Sequence, residues 1–188
     1  LLSGSAEFIR RELDISSGVV TVERLQNKNK VKFTSFCDVN FNNITLHWAS
    51  DEKFEGSLSF NRVYDKDATE QCDYTENAIT YNCSFYGGIS YRVQINILTD
   101  GKASAEKNDI DISSATYLTA FVNIGTEVLG IESEINRFSI PIHISFEQLL
   151  KEHICTFSEV LNRFGLEVDL PYDLSSTRAT NERIDYMR

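Results

Sequence analysis

The stretch QCDYTENAITYNC, residues 71 to 83, holds two thiols with ten residues between them. A two- or four-residue loop centred between Asn77 and Ala78 sets Cys72 opposite Cys83, and Tyr74 opposite Tyr81, on one inward face. Directly opposed Cα atoms of an antiparallel pair lie about 4.5–5.5 Å apart, within reach of a disulfide. The same positions suit two buried reduced thiols, which pack as small hydrophobes. Cys155 weighs on the choice. It falls opposite the apolar stripe of a C-terminal helix and is expected to be exposed, whereas Cys37 is expected inward. Those two do not readily pair, so a free surface thiol remains, which is ordinary in a reducing compartment. The expectation is therefore a cytoplasmic protein with reduced Cys72 and Cys83. A disulfide between them would mean an extracellular or periplasmic setting. The triplets Asn43-Ile44-Thr45 and Asn82-Cys83-Ser84 match glycosylation acceptors and pull toward that second reading.

The other reactive residues form no recognised constellation. Asp65, Asp67, Glu70 and Asp73 offer oxygen ligands to calcium, but they lack the spacing and the glycine of an EF-hand loop. His153 lies within an apolar helix stripe and is expected to be a hydrogen-bonded core histidine. His47 and His143 fall on polar faces and are expected at the surface. No Walker loop, dinucleotide fingerprint, Cys-x-x-Cys pair or His-Glu-x-x-His motif occurs. No catalytic residue, metal or cofactor is implied.

Charge and exposed aromatics speak instead for binding. The formal net charge is −10, which argues against a nucleic-acid partner, since phosphate backbones are held by clustered Lys and Arg. Between Asp51 and Glu76 eight acids stand against Lys53, Arg62 and Lys66. Phe36 and Tyr86 sit on predicted polar faces, where large aromatics are enriched at interfaces. Phe36, Tyr86, Asp65, Asp67 and Glu70 are thus the expected partner-binding residues. Two functions fit. One is a non-catalytic protein-interaction domain, an accessory subunit or an acidic inhibitor holding a basic or neutral protein. The alternative is a β-sandwich that binds a carbohydrate or another small ligand.

Periodicity describes what must position these residues. Ile89, Tyr91, Val93, Ile95 and Ile97 alternate with polar residues, the period of a half-buried strand. Val31, Phe33, Cys37, Val39 and Phe41 share a second inward face, and the phase flips at Asn42-Asn43, a predicted two-residue turn. Ile44, Leu46 and Trp48 then share the next inward face. Further strands are expected near 19–25, 57–64, 71–76, 79–86 and 136–144, the last with Pro141 at a sheet edge, and 114–131 is taken as strand. Residues 146–164 follow a Ser145-x-x-Gln148 capping pattern with apolar residues at three- and four-residue steps, which predicts one amphipathic helix. The fold class expected is mainly β (α+β), an antiparallel sandwich or strongly curved sheet with that helix near the C-terminus. One domain spans 9–170. Residues 1–8 are set aside as an expression remnant, and 171–188 read as a polar tail. No apolar run reaches the roughly 20 residues of a membrane span, and nothing in the sequence sets an oligomeric state.

Overall fold

The computed structural model describes residues 6–26, 28–128, 130 and 144–163. Among the described residues, nine antiparallel strands run as β1 (Ala6–Asp14), β2 (Val19–Gln26), β3 (Asn29–Asp38), β4 (Asn43–Leu58), β5 (Ala68–Thr75), β6 (Ala78–Phe85), β7 (Ser90–Thr99), β8 (Lys102–Ala105) and β9 (Ile110–Thr126). Among them, too, one helix, here α1, covers Phe146–Leu161. The strand order is β1-β2-β3-β4-β9-β7-β6-β5, with β8 also paired to β9.

Two long strands turn this continuous sheet into a sandwich. Ile44–Ala49 of β4 pairs with Tyr117–Val122 of β9; the register then shifts, and Gly56–Leu58 pairs with Ile110–Ile112. The far halves, carrying Phe54, Ile110, Ile112 and Ala115, share one core with Ile79, Tyr81, Cys83, Val93, Ile95, Leu118 and Ala120. The strand expected over 114–131 is present as β9 but starts earlier and ends at Thr126, with residues 127–128 in a turn. The alternation in β7 buries Val93 and Ile95, while Ile89, expected inward, precedes the strand and is exposed. Trp48 packs against this core, its ring centroid 4.9 Å from that of Phe33.

Gly101 shows how closely the β7–β8 turn approaches β9. A Cβ there would lie 2.6 Å from the Ser113 carbonyl oxygen and 2.7 Å from the Ala115 Cβ, on a backbone with little room to yield. Gly101→Ala is expected to destabilise the protein by about 1–3 kcal/mol through overpacking, measured by urea unfolding. An unchanged midpoint would mean that β9 gives way at this point.

Helix α1 lies on the opposite face of the sheet. Ser145 accepts a hydrogen bond from the Gln148 N–H at 3.2 Å, as the capping pattern predicts. Leu149 packs with Val19 and Phe36, flanked by Phe41, Phe121, Ile144, Phe146 and Leu150. The buried seam is narrower than the predicted stripe, because Ile154, Val160 and Leu161 are exposed.

This second covered face corrects several expectations. Phe36 is 3% exposed and stacks 4.5 Å from His153, so it is a core residue and not a partner-binding aromatic. Cys37, Val39 and Ile44, expected inward, are exposed. His47, expected at the surface, is 7% exposed. Alternation alone presumes one wet face; a helix on that face buries its residues too. The β3–β4 turn is also longer than predicted. Asp38 pairs with Asn43, Asn42 alone takes a left-handed backbone with φ 48°, and Asn43 belongs to the strand. The Asp38 carboxylate accepts the N–H groups of Asn40 and Phe41 and so shapes the wider turn.

The β5–β6 register differs from the expected one by two residues. Thr75 pairs with Ala78, leaving Glu76-Asn77 as the turn, so Cys72 faces Tyr81 and Cys83 faces Glu70. Both cysteines stay on the inward face, because a slip of two preserves the pleat, but they are no longer opposed. All four cysteines are free; Cys155 is exposed as predicted, Cys37 is exposed as well, Cys72 is half-buried and Cys83 is buried. Thiol titration of the native chain should therefore show two fast sulfhydryls, Cys37 and Cys155, with Cys83 reacting only on unfolding. A single fast thiol would contradict the outward placement of Cys37.

Residues 6–8, set aside on sequence grounds, belong to β1, where Ala6 pairs with Gln26 and Phe8 with Arg24. The expected strand over 136–143 with Pro141, His143, Phe164, the end of the domain at 165–170 and the polar tail 171–188 lie outside the described residues. Among the described residues, no helix is long and apolar enough to cross a membrane, and no group of three or more His, Cys, Asp or Glu gathers as a metal site.

Candidate functional site

Four of the five sequence-predicted binding residues meet at one end of the sheet. The segment between β4 and β5 lies against the β6–β7 turn: the Ala68 N–H donates to the Asp65 carbonyl at 3.2 Å, and the Tyr86 N–H to the Asp67 carbonyl at 2.9 Å. Tyr86 stands 96% exposed, joined at this rim by Tyr64 at 84%, which sequence reasoning missed. Asp65 and Glu70 are engaged within the protein: Arg62 bonds both, and its guanidinium sits 5.1 Å above the Phe85 ring. The rim is thus two solvent-facing tyrosines beside carboxylates partly balanced by one arginine. Phe36 lies elsewhere, beneath α1.

A second feature forms where β4 breaks register. Ser50–Lys53, four residues, stand against the single residue Thr116 between the pairs Ala49–Tyr117 and Phe54–Ala115. Bulges of this kind redirect side chains and recur beside functional sites. The opposing strand takes a left-handed backbone at Ser114, φ 55°, and the nearby β2–β3 turn does so at Lys28, φ 71°. Between them Gln26, Asn29, Lys53, Phe54, Glu55 and Ser114 line a cleft of about 220 Å³. Gln26 and Asn29 come to it together because they close the β2–β3 hairpin as a cross-strand pair. None of the six was singled out as a binding residue from the sequence, where Lys53 and Glu55 counted only toward the charge of the acidic band. The available signal was the loss of alternation in ASDEKFEG, read there only as an acidic surface run.

The buried histidines serve packing. His47 Nδ1 lies 2.8 Å from the Thr119 hydroxyl, and its ring stacks on Phe146 with centroids 3.6 Å apart. Burial, reinforced by Lys32 and opposed by Glu147, pushes its pKa down to about 4. The His153 Nε2–H donates to the Ser17 carbonyl at 3.0 Å, as expected of a core histidine; burial lowers its pKa too, against the raising effects of that bond and of Asp38.

With this geometry in place, comparison with protein families matches residues 2–130 to the model described as glycosyl hydrolase family 65, N-terminal domain. The chain belongs to the family 65 N-terminal domains. The matched span takes in all nine strands and ends before α1. Among solved structures, a protein from the human microbiome provisionally described as a kojibiose phosphorylase shares the fold, with a TM-score of 0.51 and 13% identity over 81% of this chain and 24% of its own. This family 65 domain therefore spans about a quarter of that protein's length. No curated protein matches the sequence. The family match overturns the expectation of a non-catalytic protein-interaction domain, an accessory subunit or acidic inhibitor holding a basic or neutral protein: the sandwich belongs to a family of domains of glycosyl hydrolases. It favours instead the alternative reading, a sandwich concerned with carbohydrate.

Proposed function

We propose that this chain is the non-catalytic N-terminal sandwich of a larger glycoside hydrolase or phosphorylase, and that it contributes carbohydrate contacts to that enzyme. The observation that carries this reading is the family match over the whole sheet. Glycosidic cleavage generally needs two carboxylates flanking the scissile bond, one of them free to protonate the leaving oxygen. At the tyrosine rim Asp65 and Glu70 are both bonded by Arg62, an arrangement that suits holding a loop better than protonating a sugar. Tyr64 and Tyr86 offer flat faces of the kind that stack on pyranose rings. The four unpaired cysteines support a reducing, cytoplasmic setting for the enzyme.

The test is an assay of the 188-residue chain beside the full-length enzyme, with kojibiose and other disaccharides, in the presence and absence of inorganic phosphate. The full enzyme is expected to release glucose or a sugar phosphate, and the chain alone to release neither. Turnover by the chain alone at a rate like that of the full enzyme, or a full enzyme inert toward every glycoside, would overturn the proposal.

A further inference from the structure

We infer that the cleft at the register break of β4 is a binding site for one neutral pyranose unit. The choice of ligand rests on the carbohydrate reading above; the site itself rests on its own geometry. The volume of about 220 Å³ lies below the roughly 300–1,000 Å³ of pockets for drug-sized ligands and suits a single six-membered ring. The lining supplies what a polyol needs. Asn29 carries a carboxamide that both donates and accepts, Lys53 donates, Glu55 accepts, and the Ser114 hydroxyl does either, while Gln26, 6% exposed and engaged within the protein, helps to form the wall. Sugar hydroxyls are themselves donors and acceptors, so a mixed lining matches them where an all-donor or all-acceptor lining would not. Phe54, 5% exposed, lies at the base of the cleft with its side chain in the core.

Charge narrows the ligand further. Among the described residues lining the cleft the charged ones are Lys53 and Glu55, which cancel formally; this disfavours a phosphate or carboxylate ligand and favours a neutral one. The backbone points the same way. Ser114 holds a left-handed conformation that glycine would adopt without penalty, and strained positions of this kind concentrate at ligand sites. The serine there brings a hydroxyl to the cleft, which glycine could not.

The experiment is a ¹⁵N–¹H NMR titration of the 188-residue chain with D-glucose and kojibiose, with glycerol and inorganic phosphate as separate arms. Saturable shifts are expected for the sugars alone, clustered at Gln26, Asn29, Lys53 to Glu55 and Ser114, with a Kd on the order of millimolar. Ser114→Gly removes the hydroxyl while relaxing the backbone, and Glu55→Ala removes an exposed acceptor. Each is expected to weaken sugar binding about tenfold or more with the rest of the spectrum preserved. Shifts scattered elsewhere, equal response to glycerol, binding of phosphate in place of sugar, or full affinity in both variants would each overturn the inference. Its failure is separable from failure of the enzyme reading: a silent cleft in a domain whose full-length enzyme still cleaves glycosides removes only the site.

Discussion

Replacing Leu149 by alanine is expected to cost about 2–5 kcal/mol of stability, and replacing Phe36 by alanine about 3–5 kcal/mol. The two side chains meet at the centre of the layer between α1 and the sheet. Leu149 is wholly buried and Phe36 is 3% exposed, and Val19 completes the cluster. A sheet stiffened by its hydrogen-bond ladder cannot collapse into the space left behind, so a residual cavity adds to the lost transfer free energy. Phe36→Ala also removes a ring from the stack with His153 and from contact with Phe146, 6.3 Å away. Glu159→Ala, on the exposed side of the same helix, should stay within about 0.5 kcal/mol of the parent. Urea unfolding of the three variants measures all of this. A loss below 1 kcal/mol for Leu149→Ala would mean that α1 is not seated on the sheet in solution.

Acidification should destabilise the fold well before the carboxylates titrate. The His47 pKa is depressed to about 4 in the folded protein, mainly by burial, from an ordinary value of 6.5. The unfolded chain therefore takes up the proton first. The contribution of the neutral folded ring is fully present above about pH 6.5 and is lost progressively as the pH falls toward 4. Lowering the pKa from 6.5 to about 4 corresponds to about 3 kcal/mol across that window. His153, also lowered by burial, acts with the same sign. Asp14, held low first by the Ser17 hydroxyl and then by Ser16, has a depressed folded pKa as well, but as a carboxylate its contribution is lost at lower pH, below its ordinary 3.8. Unfolding free energies at pH 7.5, 6 and 4.5 are expected to fall steeply for the parent. The slope should be shallower for His47→Gln, which has no imidazole to protonate. Equal slopes would show that His47 becomes charged without leaving its place against Phe146 and Thr119.

Local rules carried much of the architecture. The alternation of Val93 and Ile95 with Arg92 and Gln94, the Ser145 cap and the apolar steps of 146–164 each state a conformation in a few consecutive residues. Asn42 did so in part, because asparagine tolerates the left-handed backbone a turn requires, although the extent of the turn depended on the Asp38 carboxylate reaching Asn40 and Phe41. The rim carboxylates and Tyr86 were likewise recognisable, since a polar loop and an aromatic beside Gly87-Gly88 have few reasons to be buried.

The tertiary structure decided everything that depends on two segments meeting. Phe36 and His47 lie on strand faces that the sequence marks as polar, and only the docking of α1, about a hundred residues later, makes those faces interior. The pairing of Cys72 with Tyr81 instead of Cys83 turns on a two-residue difference in register, which the alternation cannot distinguish because it leaves every side chain on the same face. The cleft joins a hairpin end at Gln26 and Asn29, a bulge at Lys53 to Glu55 and a left-handed serine at 114. Its residues share no sequence pattern, because the long-range pairing of β4 with β9 brings them together and the excess of residues in β4 leaves the space between them.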